Sequence, residues 1–420
     1  MGSANKQWLN TPLKLILWSS CAAFLTYSFM YAFRKPITAA QFDGLSLWGI
    51  NYKVLAIITQ VIGYLCSKFI GIRFISELSK DRRQFTLLFL IVTSLIALLL
   101  FALAPYPWGF IFLFFNGLPL GLIWGIVYSY LEGRKLTDIL ALFLSISFIF
   151  SSGVVKSLGR YLIEHYGVSE FCMPFLIGAL FLVPIIFSSW MLEKIPHPTR
   201  VDQHLRVKRT PMNKKKRRKI FRQFGFGLTL LLILNGTMTI LRDIKDNFMV
   251  EIWSELNIHS DFSIFAQIET ITSVVVLLLL MILVFVQNSR YALVLLNGII
   301  LLSLILVIGA TFFYQQLRLS GFTWMVLHGI GLYTAYIAFQ SVYFERLIAA
   351  LKIQGNAGYL IYMADFVGYL ASTVILIGKE VQLFPQEWSI FFIQLTYWVA
   401  IAGMLSTILS VLYFKFVHGK

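Results

Sequence analysis

Long apolar runs constrain this chain more than any other feature. Twelve windows of about 20 residues carry little charge, at roughly 13–36, 50–71, 85–104, 108–131, 136–160, 171–192, 223–246, 262–286, 290–314, 321–344, 355–377 and 388–415. A helix of that length crosses the hydrocarbon core of a bilayer. Only 13% of the 420 residues are charged, against about 25% in soluble domains. The sequence therefore predicts an all-α membrane protein with twelve transmembrane helices.

A basic, proline-punctuated segment separates the first six runs from the last six. It covers 193–222 and includes six consecutive basic residues at 214–219. Polar composition of this kind is typical of a linker. We therefore predict an N-terminal six-helix bundle over 1–192, a basic linker over 193–222 and a C-terminal six-helix bundle over 223–420. Similar short patterns about 210 positions apart indicate that the two bundles are pseudo-symmetric.

The basic residues also predict the orientation of the chain. With a cytoplasmic N-terminus, 25 Lys and Arg fall in cytoplasmic segments and about five in outer segments. The positive-inside rule then places both termini in the cytoplasm. The same rule accounts for the net charge of +16 without a nucleic-acid partner. Segment 193–222 is predicted to contact anionic lipid headgroups, or else to be a solvated topology signal.

Two arginines follow apolar runs at equivalent places in the two halves. Arg34, with Lys35 beside it, ends the first span, and Arg242 lies 208 positions later in the seventh. Paired guanidinium groups suit an anion because each can donate two parallel hydrogen bonds. We predict that Arg34, Lys35 and Arg242 bind an anion, the two arginines facing each other across the pseudo-two-fold axis.

That prediction has a geometric condition. A straight first helix puts Arg34 at the outer membrane boundary, so the helix must continue to about Gly44 and tilt or kink at Pro36. The alternatives are a snorkelling pair at Arg34 and Lys35, and an outer loop that begins at Arg242.

Further polar residues lie inside apolar runs. Lys68 and His328 are predicted substrate contacts, although a snorkelling lysine and a structural imidazole are alternatives. Asp243 and Asp246 could form a neutralising network beside the second arginine.

Glu269 and Asp365 are the acids that lie well inside apolar runs. They are predicted to act as counter-ions to the arginines or to carry a coupling proton. The alternative is a static ion pair between two helices.

Several stretches resemble a known family. Residues 64–69 and 76–82 resemble the second span and following loop of the organophosphate:phosphate antiporters, and 31–35 resembles their first-span pattern. Arg242 falls where that family carries its second substrate-binding arginine. The resemblance implies the major facilitator fold and an anion that could contain phosphate. Taken whole, 31–36, 44–51 and 63–72 look most like a bacterial family of unknown function in the same superfamily.

These features predict a secondary active transporter that moves a small organic anion by alternating access. No Walker motif, zinc-binding His-Glu-x-x-His or nucleophile elbow occurs in the sequence, so we predict neither a cofactor, a metal nor an enzyme. The chain is expected to act as a monomer. The rival hypotheses are a non-transporting membrane sensor or scaffold and an integral membrane enzyme.

Overall fold

The computed structural model describes residues 12–132, 134, 137–196, 214–256, 261–286, 288–317, 319–351 and 357–418. It is almost entirely helical. The helices before the basic segment are α1 (Pro12–Arg34), α2 (Tyr52–Glu77), α3 (Arg83–Leu103), α4 (Phe110–Leu131), α5 (Thr137–Tyr166), α6 (Met173–Leu180) and α7 (Leu182–Glu193). Those after it are α8 (Lys214–Glu255), α9 (Ile264–Met281), α10 (Ser289–Leu317), α11 (Gly321–Ala338), α12 (Phe344–Leu351), α13 (Ala357–Glu380) and α14 (Trp388–His418). A two-stranded hairpin, β1 (Ser46–Leu47) and β2 (Ile50–Asn51), precedes α2.

Most of these helices can cross a membrane. In the described part of the chain, ten helices or continuous helix pairs are long and apolar enough, and α6 with α7 makes eleven. The predicted second span forms α2 but is not among these eleven. The chain is therefore a multi-pass, all-α membrane protein, and the number twelve stays a prediction.

The predicted sixth span is broken. Helices α6 and α7 meet at Phe181 and are bent by 42° relative to each other. Pro184 is the third residue of α7 and has no N–H to donate to the preceding turn. A missing hydrogen bond at this point is a usual cause of a sharp bend.

Helix α8 is longer than the predicted seventh span. It begins at Lys214, so 214–222 of the expected linker are helical, while 197–213 lie outside the described residues. Lys and Arg are good helix formers, and neither Gly nor Pro interrupts this stretch. The helix continues past Arg242 to Glu255, with non-helical dihedrals only at Phe248. The alternative of an outer loop beginning at Arg242 is therefore wrong.

The predicted tenth span also changes its winding. Helix α11 passes into a π-helical turn, Phe339–Tyr343, and then into α12. Such turns occur often at functional sites.

The chain forms two compact units. The first contains Met1–Lys208 with Ser260–Thr270, and the second contains Arg209–His259 with Ile271–Lys420. In the first unit, α2 and α4 approach closely at two glycines. A Cβ on Gly117 would collide with the carbonyl oxygen of Gln60, and one on Gly63 with that of Phe114. Small residues at these points let the backbones touch, which fixes α2 beside α4.

Candidate functional site

The end of α1 is held by a buried amide network. Gln60 on α2 donates through Nε2 to the carbonyl oxygen of Arg34 at 3.0 Å and to Asn116 Oδ1 at 2.7 Å. Asn116 on α4 donates through Nδ2 to the carbonyl oxygen of Phe33 at 3.0 Å and to Ser94 Oγ at 2.6 Å. The last carbonyls of a helix have no partner within it. The network supplies those partners and so fixes where the Arg34 side chain begins.

Arg34 and Lys35 are buried, with 7% and 5% of their surfaces exposed. Helix α1 ends at Arg34, and the chain turns through a buried 3-10 segment, Pro36–Ala39. The continuation of the helix to Gly44, on which the anion prediction depended, does not occur, because Pro36 starts a tighter turn. Arg34 and Lys35 are nevertheless buried without it.

Arg34 and Lys68 share one aromatic ring. The guanidinium carbon of Arg34 lies 4.1 Å from the centroid of Tyr64, and Lys68 Nζ lies 5.1 Å from the same centroid. Lys68 is 5% exposed, and its Nζ also lies 5.9 Å from the Trp124 ring. Aromatic faces attract cations without neutralising them. Two predicted site residues are thus brought together, with Tyr64 and Trp124 beside them.

Lys53 is a further buried cation in this unit. Its Nζ donates to the carbonyl oxygen of Thr38 at 3.0 Å, within the turn that follows Lys35. Lys53 therefore stabilises the turn that follows the two predicted anion ligands.

In the second unit, Arg242 lies inside α8 between two tyrosines. Its guanidinium carbon is 4.4 Å from the Tyr336 centroid and 5.2 Å from that of Tyr369. Nη1 donates to the Tyr336 hydroxyl. Nη2 and Nε donate to Asp243 Oδ1 at 2.7 and 3.1 Å. Tyr336, Tyr369 and Asp243 thus orient Arg242, and the Asp243 carboxylate balances its charge.

The other oxygen of Asp243 has a different environment. Asp243 is 5% exposed, and its Oδ2 has no hydrogen-bond partner within the described ranges. Asp246, at 7%, is also buried on α8.

The two predicted coupling acids lie in different units. Asp365 on α13 accepts a hydrogen bond at 2.8 Å from Gln340, which stands on the π-helical turn. The same amide nitrogen donates to Asn235 Oδ1 at 2.9 Å. Glu269 is fully buried in the first unit, where a Cβ on Gly153 of α5 would lie 2.7 Å from its Cβ. Asp365 therefore has a fixed hydrogen-bonded position, and Glu269 packs directly against α5.

His328 is fully buried on α11. Its Nε2 lies 3.2 Å from Thr396 Oγ1, and its ring packs on Phe392 with centroids 4.8 Å apart. One nitrogen of the ring is therefore engaged in a contact between helices.

Buried positive charge exceeds buried negative charge. Among the residues described, nine Lys and Arg are at most 9% exposed: Arg34, Lys35, Lys53, Lys68, Arg134, Lys156, Arg242, Lys245 and Lys379. Three acids are equally buried: Asp243, Asp246 and Glu269. The described ranges contain no group of three or more His, Cys, Asp or Glu arranged to hold a metal ion.

Sequence patterns missed the groups that position this site. Gln60, Asn116, Tyr336 and Tyr369 stand in apolar runs where single polar or aromatic residues are common. Asn116 opens one of the short patterns that recur about 210 positions apart, but such a pattern indicates a repeat and not a hydrogen-bonding role.

Comparisons with known proteins identify the fold. A family model described as "Family of unknown function (DUF5690)" matches residues 36–416. No curated protein matches the sequence. The major facilitator superfamily proton:xylose symporter XylE is 13% identical, with a TM-score of 0.60 and 97% of each chain covered.

Two other solved structures are similar over nearly the whole chain. The nucleoside transporter NupG is 15% identical with a TM-score of 0.63, covering 96% of this chain and 99% of that one. The POT family transporter PepTSo is 14% identical with a TM-score of 0.64, covering 98% and 99%. The predicted major facilitator fold is confirmed.

Proposed function

Because the chain belongs to the DUF5690 family, whose function is unknown, its activity must be inferred from its own residues, and we propose that it is a secondary active transporter of a small organic anion. It exposes the anion to each side of the membrane in turn. The similar solved structures bear the printed names of a xylose symporter, a nucleoside transporter and a POT family transporter. The fold they share with this chain supports transport, while the choice of an anion comes from the buried charges.

The excess of buried cations carries the choice of substrate. In the part of the chain that the structure describes, nine basic side chains are buried against three acidic ones. Each buried charge in a membrane costs at least about 2.5 kcal/mol on the most lenient scale. A chain retains such a surplus where the positive charge has a use, and binding an anion is the simplest. Arg34, Lys35 and Lys68 are the proposed primary ligands.

A phosphate-containing anion is one form of this proposal. The local similarity to organophosphate:phosphate antiporters supports it, as does the fit between a guanidinium fork and a phosphate. Arg242 is proposed as a further anion ligand, with Asp243 as its counter-ion when no substrate is bound. His328 is proposed as a further substrate contact.

The coupling mechanism depends on whether a proton moves with the anion. Exchange needs no titrating group, whereas symport would use Glu269 or Asp365. Asp365→Asn should abolish uphill uptake driven by a pH gradient and leave anion exchange intact if Asp365 carries the proton. An unchanged gradient-driven rate would assign coupling elsewhere.

The remaining proposals concern the cell. We propose that the protein lies in a bacterial inner membrane with both termini in the cytoplasm. Segment 193–222 contacts anionic lipids there, the chain acts as a monomer, and no nucleic acid takes part.

The test is a ligand screen of the purified full chain, followed by transport. Glycerol 3-phosphate, succinate, gluconate and alanine are added singly, and the melting temperature is recorded. A ligand at 100 times its Kd stabilises the folded state by about 2.7 kcal/mol. Any anion that stabilises the protein is then loaded into proteoliposomes, and its exchange is measured.

Arg34→Lys should reduce both signals, because lysine keeps the charge but loses the bidentate geometry. Arg82→Lys, at an exposed position, is the matched control. Binding without exchange would favour the sensor hypothesis. If no anion stabilises the protein or exchanges, the proposal is wrong.

A further inference from the structure

Two polar side chains of the second unit converge on the backbone of α11 at Gly329. A Cβ built on Gly329 would lie 3.0 Å from Thr272 Oγ1 and 3.5 Å from Lys245 Nζ. Thr272 comes from α9 and Lys245 from α8, and both are fully buried. Because glycine has no side chain, the hydroxyl and the ammonium group reach the same point. Lys245 Nζ also lies 5.3 Å from the Tyr333 centroid.

His328, the residue before Gly329, adds a third polar group. It is fully buried and interacts electrostatically with Lys245. The hydroxyl of Thr396 donates its one proton to the carbonyl oxygen of Phe392 at 2.8 Å. Its contact with His328 Nε2 at 3.2 Å must therefore have the imidazole as donor. In the neutral ring, Nδ1 is then an acceptor.

Two of these polar atoms have unused hydrogen-bonding capacity. Neither His328 Nδ1 nor Thr272 Oγ1 has a hydrogen-bond partner within the ranges that the structure describes. A buried polar atom without a partner costs about 1–3 kcal/mol. Both atoms lie on residues with no exposed surface, one beside Gly329 and one on the residue before it. A ligand can therefore satisfy their hydrogen-bonding capacity.

The chemistry of the three groups defines the ligand. Lys245 supplies a positive charge and N–H donors, and the Thr272 hydroxyl can donate or accept. A carboxylate satisfies these two but offers nothing to an acceptor. His328 Nδ1 requires a donor on the ligand, and a hydroxyl beside the carboxylate provides one.

We propose that Lys245, Thr272 and His328 form a binding subsite for a hydroxycarboxylate, a carboxylate with a neighbouring hydroxyl group. The subsite rests on the proposed transport of an organic anion and specifies its class. Lys245 and Thr272 donate hydrogen bonds to the carboxylate, and His328 Nδ1 accepts one from the ligand hydroxyl. Thr396 positions the imidazole by accepting a hydrogen bond from its Nε2–H.

The test uses three matched pairs of probes: glycolate and acetate, glycerate and propionate, gluconate and hexanoate. Binding to the purified full chain is measured by isothermal titration calorimetry. At least one hydroxylated probe should bind about three- to tenfold more tightly than its partner, which is the worth of one hydrogen bond.

Two pairs of variants separate the role of each atom. Thr272→Val removes the hydroxyl at similar volume, whereas Thr272→Ser keeps it. His328→Gln can still donate to Thr396 but loses the acceptor at Nδ1. His328→Asn places an amide oxygen near Nδ1 and loses the Thr396 contact. The preference for the hydroxylated probe should vanish in His328→Gln and persist in His328→Asn. Thr272→Val should weaken the binding of both members of each pair, whereas Thr272→Ser should not.

The outcomes distinguish this subsite from transport itself. If anions bind but the wild-type protein shows no hydroxyl preference, the subsite is overturned and anion transport stands. A preference that survives His328→Gln, or an affinity for carboxylates that Thr272→Val leaves unchanged, also overturns it. If no anion from either panel binds, the proposed function fails together with the subsite. Should one variant not fold, the variant at the other residue decides.

Discussion

Replacing Asp243 by Asn should separate the stability of the second unit from its affinity for an anion. Asp243 holds Arg242 through two hydrogen bonds to one oxygen, of 2.7 and 3.1 Å. Both side chains are at most 9% exposed. Asparagine keeps the shape and removes the charge, so Arg242 is left buried beside a neutral amide.

The expected magnitude follows from that burial. Breaking a buried ion pair by removing one partner costs roughly 3 kcal/mol or more, because the remaining charge is uncompensated. The unliganded Asp243→Asn protein should therefore melt at a lower temperature than the wild type. An anion that contacts Arg242 would regain part of this loss, since it no longer competes with the native carboxylate. We expect its Kd to fall about tenfold, which corresponds to about 1.4 kcal/mol.

The assay is thermal unfolding with increasing concentrations of the anion found in the screen. Asp246→Asn is the matched control, because it removes one equally buried charge from the same helix. The Asp243 variant should gain more stability from the ligand than either the control or the wild type. A weaker affinity in Asp243→Asn alone would refute the resting counter-ion role and make Asp243 a structural support for Arg242.

Further substitutions test the supports of the site. Asn116→Ala should lower the unfolding free energy by about 1–3 kcal/mol, measured by thermal or denaturant unfolding, because buried carbonyls lose their donor. Tyr336→Phe keeps the ring over Arg242 but loses the hydroxyl, so titration should show weaker anion binding than wild type and stronger binding than in Tyr336→Leu. Gly117→Ala should reduce the yield of folded protein in size-exclusion chromatography, because the new methyl group meets a backbone oxygen. Glu255→Ala should destabilise the start of α14 by about 1 kcal/mol in thermal unfolding, since Glu255 accepts from the N–H groups of Trp388 and Ser389.

The sequence predicts helices well where one physical rule dominates. Runs of about 20 apolar residues must form helices in a bilayer because no other partner exists for their backbone groups. The rule gives the existence of most helices but not their ends. Helix α8 overran its predicted bounds because basic residues at 214–219 continue a helix as readily as apolar ones do. The bend at Phe181 depends on Pro184, which the prediction of one continuous sixth span did not take into account.

The site residues were harder to predict than the helices. Arg34 and Arg242 could be found because charge is rare inside apolar runs. Gln60 and Asn116 could not, since an amide in a span is inexpensive enough to be common and its partners are distant in sequence. The short spacing between Tyr64 and Lys68 puts both side chains on one face of a helix. Only the structure shows that the tyrosine ring and the lysine ammonium lie beside Arg34.

The two units carry their buried charge differently, and this bears on how an anion would be recognised. Among the described residues, the first unit buries six basic residues against one acid, and the second buries three against two. An excess of positive charge attracts any anion, because Coulomb attraction does not depend on the rest of the ligand. A neutralised arginine and open, directional acceptors respond instead to the shape and donors of the ligand. Substitutions around Tyr64 should therefore change affinity for all anions in parallel, whereas substitutions around Gly329 should change the ratio between them.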